Sequence, residues 1–210
     1  MNLLRKIRLG EVTCQMKWIE SLEKQIDSLL KAKDFLVSSN SSMEHIVSIT
    51  ANVKGFHYFT GIGKNGFVAA KVSSTFNSLG IRSMFIDPVN TLHGDMNIFS
   101  DEDILYAISK SGNTEELVRF FEALRNNDFF NIISIVSTRE SSLEKLSKYT
   151  LYIPVETEGD HLGMAPVASS LIFMAVLQSI GVELSSKRGF TKKDFVRGHP
   201  GGTLGKWRES

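Results

Sequence analysis

Residues 103–117 read DILYAISKSGNTEEL, and the fold follows from this stretch. Ile104 to Ile108 is a short apolar run, the length of a strand buried on both faces of a parallel sheet. Ser109-Lys110-Ser111-Gly112-Asn113-Thr114 then break it with small and polar residues. Glu115 and Glu116 open a helix that carries Leu117, Phe120, Phe121 and Leu124 on one face. A strand that breaks into a hydroxyl-rich, glycine-containing loop and then a helix presents unpaired backbone N–H groups and the positive end of a helix dipole. Those are the parts of a phosphate or other anion site, to which Ser109, Ser111 and Thr114 would add donors. The same small polar residues also serve as ordinary helix caps, and this segment alone leaves the two readings level.

The pattern repeats on both sides. Upstream, Phe56–Thr60 is a strand that ends in Gly61-Ile62-Gly63-Lys64-Asn65-Gly66, and a helix continues through Val68, Val72, Phe76 and Leu79. Ser83–Ile86 is the next strand, and His93-Gly94-Asp95 falls in a polar loop after it. Downstream, Ile132–Val136 and Thr150–Ile153 are strands four and five, with a short helix capped at Ser141-Ser142-Leu143-Glu144 between them. Strands of this length alternating with helices imply an α/β fold with a doubly wound, five-stranded parallel sheet. Right-handed crossovers would place the loops at 61–66, 109–114 and 155–161 along one sheet edge, and that convergence favours the anion site over the cap.

The rest of the chain frames this core. Residues 3–33 read as one long helix, with Val12, Met16, Ile19, Leu22, Ile26, Leu29 and Leu30 at three- and four-residue steps. At roughly 30 residues it would span about 45 Å, more than one domain needs, so part of the N-terminal segment 1–35 is expected to contact another subunit, the plainer alternative being that it only covers one sheet face. Ser41-Ser42-Met43-Glu44 has capping-box spacing and should start a second helix. The apolar stretch Met164–Leu184 is interrupted by Pro166, Ser169, Ser170, Gln178 and Ser179, which favours a buried core helix over a membrane span. The tail holds a further short helix from Gly189 to Phe195 and then His199-Pro200-Gly201-Gly202.

Composition sets outer bounds. In 210 residues, 24 Lys and Arg face 23 Asp and Glu, so no basic surplus points to nucleic acid or an anionic membrane as partner. Cys14 is the single cysteine, and the first residues lack a signal-peptide core, so a cytoplasmic location is expected. GIGKNG also fits the GxGxxG of dinucleotide folds, and Asp87 stands where a ribose-binding acid would. Lys64 inside the turn argues against that reading, because a pyrophosphate needs bare backbone there.

GIGKNG at 61–66, HGD at 93–95, SKSGNTEE at 109–116, EGDHLGMAP at 158–166 and GFTKKDFVRGHPGGTLG at 189–205 occur in that order. Together they resemble the sugar isomerase (SIS) domain of the arabinose 5-phosphate isomerases over roughly residues 40–206. The resemblance implies a single SIS domain over residues 1–210, flavodoxin-like in topology, without the CBS pair that many members carry. It further implies a cytoplasmic homotetramer that interconverts D-arabinose 5-phosphate and D-ribulose 5-phosphate without a cofactor, for lipopolysaccharide or capsule precursors. Three departures stand out: GKNG where GKSG is frequent, Asp160-His161 where Cys-Pro is frequent, and Ala165-Pro166-Val167-Ala168-Ser169-Ser170 where the family often has A-P-T-S-S-T.

Aldose–ketose isomerisation needs a base that moves a proton between adjacent carbons through an enediol, and an acid or electrophile at the neighbouring oxygen. By resemblance the catalytic candidates are Lys64, Glu116, Glu158, His199 and His93, with Glu158 or His199 moving the proton. Gly63, Ser109, Ser111, Gly112, Thr114 and Ser169 would bind substrate. Several have an ordinary alternative, Lys64 as an exposed helix-start lysine among them. His199 also suits a turn before proline, Glu116 is favoured at a helix start by the dipole, and His93 can bond Asp95 across its turn. Two other functional readings stand beside the isomerase: a sugar-phosphate sensor that binds without turnover, and an isomerase of a different sugar phosphate.

Overall fold

A computed structural model describes residues 16–201, and the expected helix before residue 16 and the tail after 201 lie outside them. The elements, in order, are α1 (Lys17–Ser38), α2 (Asn40–Ala51), β1 (His57–Gly61), α3 (Lys64–Ser78), β2 (Ser83–Phe85), α4 (Pro88–Thr91), a 3-10 turn (Asp95–Ile98), β3 (Ile104–Ile108), α5 (Glu115–Asn126), β4 (Ile132–Val136), α6 (Ser142–Leu146), β5 (Tyr149–Tyr152), α7 (Ala168–Lys187) and α8 (Lys192–Gly198). All pairings in the five-stranded sheet are parallel, in the order β2-β1-β3-β4-β5.

Two cores cover the two faces. Phe59, Tyr106, Ile108, Ile133 and Ile135 point into one, against α3, α7 and the inner side of α1 and α2. Tyr58, Leu105, Ala107, Ile132 and Val136 point into the other, against α5 and α6. Successive strand residues thus alternate between two buried faces, which is why the central strands read as continuous apolar runs. β3 and β4 begin and end where the sequence placed them, while β1 and β5 are shifted by one residue in opposite directions.

The helical margins differ more. α1 runs on to Ser38 rather than ending near 33, because Phe35 meets Tyr152 edge-on at 5.6 Å and Leu36 packs on the core. Ser39 alone separates α1 from α2; α2 begins at Asn40, without a side-chain cap from Ser39, so the spacing at 41–44 falls inside the helix. On α1 the inward face carries Ser28 and Ala32, whereas Trp18, Leu22, Ile26, Leu30 and Val37 are exposed at steps of four or seven. α7, with a mean hydropathy of 1.5, is long and apolar enough to cross a membrane by length and composition. It instead packs against α3, α1 and α2, burying Ile172, Phe173, Leu177 and Leu184.

His57 lies inside this core rather than at a site. Its Nδ1 is 3.0 Å from the Tyr106 hydroxyl, its ring stacks 5.9 Å from Tyr106, and Nε2 has no partner. Burial, with the nearby Arg188 charge, pushes its pKa from 6.5 down to about 3. The unfolded chain therefore binds a proton below pH 6.5 that the folded chain refuses until about pH 3, so the neutral ring's contribution is complete above 6.5 and is lost as pH falls. The expected loss from this one group at pH 5 is about 2 kcal/mol. Melting curves between pH 7 and pH 5 check it: His57→Gln should flatten the fall seen in the wild type, and an equal fall in both would refute the assignment.

Candidate active site

Doubly wound sheets bind ligands at the carboxyl edge where neighbouring crossovers leave on opposite faces. Here that point lies between β1 and β3, since α3 packs in one core and α5 in the other. The loops leaving those strands are 61–64 and 109–114.

In the first loop Gly63 takes φ +58°, a conformation that favours glycine, and serves as N-cap of α3. A Cβ on Gly61 would lie 2.8 Å from the Asn65 backbone, so the tight β1–α3 turn requires a glycine there as well. Lys64 is the exposed first residue of α3, where the helix dipole disfavours a cation.

In the second loop the side-chain helix cap that the sequence allowed is not made. Thr114 is the N-cap of α5, yet its side chain caps no amide; its Oγ1 instead lies 2.8 Å from Ser109 Oγ. The first amides of α5 are therefore left without a side-chain acceptor, facing the crevice end of the helix. The loop is pinned from behind. Ser109 Oγ accepts from Gly112 N at 3.1 Å, Ser111 Oγ from Asn113 N at 3.2 Å, and Asn113 Oδ1 from Ser142 N at 2.9 Å. Gly112 takes φ +63°, and a Cβ there would fall 2.2 Å from Ser141 Oγ, so both backbone conformation and space demand glycine.

The third loop, between β5 and α7, crosses back over the sheet edge and carries Glu158, which is only 2% exposed. Its Oε2 accepts from the Ser169 amide and hydroxyl, both at 3.0 Å, and its Oε1 from Lys110 Nζ at 2.5 Å. Burial pushes the carboxyl up, but the Lys110 ammonium and the two Ser169 donors outweigh it and hold the group below the usual carboxylate range. Glu158 is thus ionised at neutral pH, the form a base requires, with both oxygens already engaged.

The other expected residues fall as follows. Glu116 is exposed in the first turn of α5, and His93 is exposed after α4 with only its amide bonded, to Asn90 O. Ser169, expected to bind substrate, is fully buried here and donates its amide and hydroxyl to Glu158. His199 is away from the crevice. It follows α8, stacks on Phe195 at 4.0 Å, bonds Phe195 O through Nδ1 at 2.7 Å, and lines a cavity with Ser74, Asn77 and Gly80 at the opposite end of α3. Asp87, the candidate ribose acid, accepts from Val89 N and Asn90 N and so caps α4. Lys110 is not among the expected residues; its one signal is a cation amid the small and polar residues of the 109–114 loop.

Comparisons with known proteins agree with this fold. The profile of the SIS domain matches residues 40–182. The arabinose 5-phosphate isomerase KpsF of Escherichia coli O6:H1 is 32% identical over 189 residues, 90% of this chain and 54% of that protein. The arabinose 5-phosphate isomerase KdsD of Pseudomonas aeruginosa is 34% identical over 153 residues, 73% of this chain and 47% of that protein. Among solved structures, the c3406 protein of E. coli CFT073 in complex with arabinose 5-phosphate superposes with a TM-score of 0.79 at 30% identity, covering 89% of this chain and 99% of that one. The chain spans about half the length of the curated relatives it matches.

Proposed function

The chain belongs to the SIS domain family, and from that membership we propose that it is an aldose–ketose isomerase interconverting D-arabinose 5-phosphate and D-ribulose 5-phosphate. The observation that carries this reading is the β3–α5 loop, where Thr114 turns its hydroxyl to Ser109 and leaves the helix amides uncapped. The phosphate ester sits in that cradle, held by the amides and by the Ser111 and Thr114 hydroxyls, while Ser109, 1% exposed and bonded to Thr114 Oγ1 and Gly112 N, fixes the loop from within. The sugar then extends across the crevice toward Lys64 on one side and Glu158 on the other. Glu158 takes the proton from the carbon beside the carbonyl and returns it to the neighbouring carbon, through an enediol. Lys64 steadies the oxygen on which negative charge develops. Glu116 and His93 lie at the rim, suited to holding sugar hydroxyls and assisting ring opening. The hydrogen moves within one molecule, so the reaction calls for no cofactor.

His199 enters only from a second copy, since its own chain holds it at the far end of α3. The exposed stripe Trp18, Leu22, Ile26 and Leu30 on α1 gives such a copy an apolar surface to cover. The reading is therefore of a homo-oligomer, a tetramer as the family resemblance implies, acting in the cytoplasm.

Turnover of arabinose 5-phosphate by the purified protein, followed by ketose formation, tests the proposal. A panel of other pentose and hexose phosphates fixes the substrate. Binding without turnover of any sugar phosphate would convert the reading to a sensor. Ser111→Ala is expected to raise KM roughly 10–100-fold, the cost of one hydrogen bond to a charged group, with little change in melting temperature. An unchanged KM would remove the phosphate from this loop.

A further inference from the structure

Lys110 is the only charged side chain in the 109–114 loop, and its backbone is fixed. Its carbonyl accepts from Ser137 N at 2.9 Å and from Thr138 Oγ1 at 3.3 Å, so only its side chain is free to turn. The side chain is 39% exposed, whereas its partner Glu158 is 2% exposed. Oε1 of Glu158 has Lys110 as its donor, while Oε2 is held independently by Ser169. Neighbouring charges on the Glu158 loop are otherwise engaged: Glu156 pairs with Lys31 of α1, and Asp160 accepts from the Met164 and Ala165 amides. Lys24 of α1, which backs Gly159, pairs with Glu20.

We propose that Lys110 is a phosphate-binding residue held in reserve by Glu158, and that its ammonium passes to the phosphoryl oxygens when a sugar phosphate enters, leaving Glu158 Oε1 open to the sugar. The inference rests on the reading that this loop takes the phosphate. A phosphate monoester brings nearly two negative charges to a loop whose cation is paired with only one. The exchange is a rotation of one side chain within an anchored loop. No covalent bond changes, and Glu158 stays aimed because its hold on Ser169 is untouched. It also explains how a carboxylate with both oxygens occupied serves as a base. Once the ammonium leaves, burial acts on the carboxyl against Ser169 alone, and its proton affinity rises only while substrate is bound.

Calorimetric titration of the full chain with inorganic phosphate and with arabinose 5-phosphate tests this, using wild type, Lys110→Met and Glu158→Gln. Lys110→Met is expected to weaken both ligands by roughly tenfold or more and to flatten the dependence on salt. Glu158→Gln is expected to tighten inorganic phosphate severalfold, because the ammonium is no longer bound to a carboxylate. Opposite signs identify a reserve cation; a rigid structural clamp would make the two variants change together. Weakening in Glu158→Gln, or affinity within twofold of wild type in Lys110→Met, would overturn the inference. Should Lys110→Met fail to fold, the sign of the Glu158→Gln change decides. Ser111→Ala separates the two levels. If it loses phosphate while Lys110→Met does not, the site stands and the inference falls; if wild type binds neither ligand, both fall.

Discussion

Glu158→Gln is expected to lower kcat by roughly 10²–10⁴-fold, the range over which a positioned acid–base group acts. The amide has nearly the carboxylate's shape and still offers an oxygen to the Ser169 donors, which meet Oε2 at 3.0 Å. It cannot accept a proton from carbon. The variant is expected to remain folded, because the group lost is the buried carboxylate and the group left unpaired is Lys110, 39% exposed and open to water. Turnover by the ketose assay, alongside a melting curve, checks both halves. A kcat near wild type would move the proton transfer to Glu116 or His199.

The second large effect concerns His199. His199→Ala is expected to abolish most turnover, and mixing it with Glu158→Gln should restore part of what each lacks. Within one chain, α3 separates the two residues: it has 15 residues, about 22 Å of helix, with Lys64 at the crevice end and Ser78 near the His199 cavity. No side-chain rotation covers that span. If the site is completed across a two-fold interface, refolding an equal mixture yields heterodimers in which one of two sites is intact, roughly a quarter of all sites. Recovery on that scale is the expected result. Two inactive variants that stay inactive after refolding together would place His199 outside the site.

These two residues separate what is local from what is not. Both sit in loops of similar character, one before an apolar helix and one before a proline. Strand order parts them. The loop after β5 turns back over the carboxyl edge toward α7, whereas α8 is held at the opposite edge by Phe190, whose ring occupies the space beside Gly80.

Five strands, their parallel crossovers and a glycine- and hydroxyl-containing loop between β3 and α5 could all be read from the order of residues. They follow from runs and periodicities shorter than a helix, and backbone conformation is set over that range. β3 and β4, buried on both faces, were legible to the residue because a continuous apolar run leaves no other assignment. Three features needed the folded chain: Thr114 turning away from its helix, Lys110 meeting Glu158 across 48 positions, and α1 showing solvent the stripe at 18, 22, 26 and 30. Each depends on which element the crossovers bring alongside, and a charge or an apolar face carries no local mark of its partner.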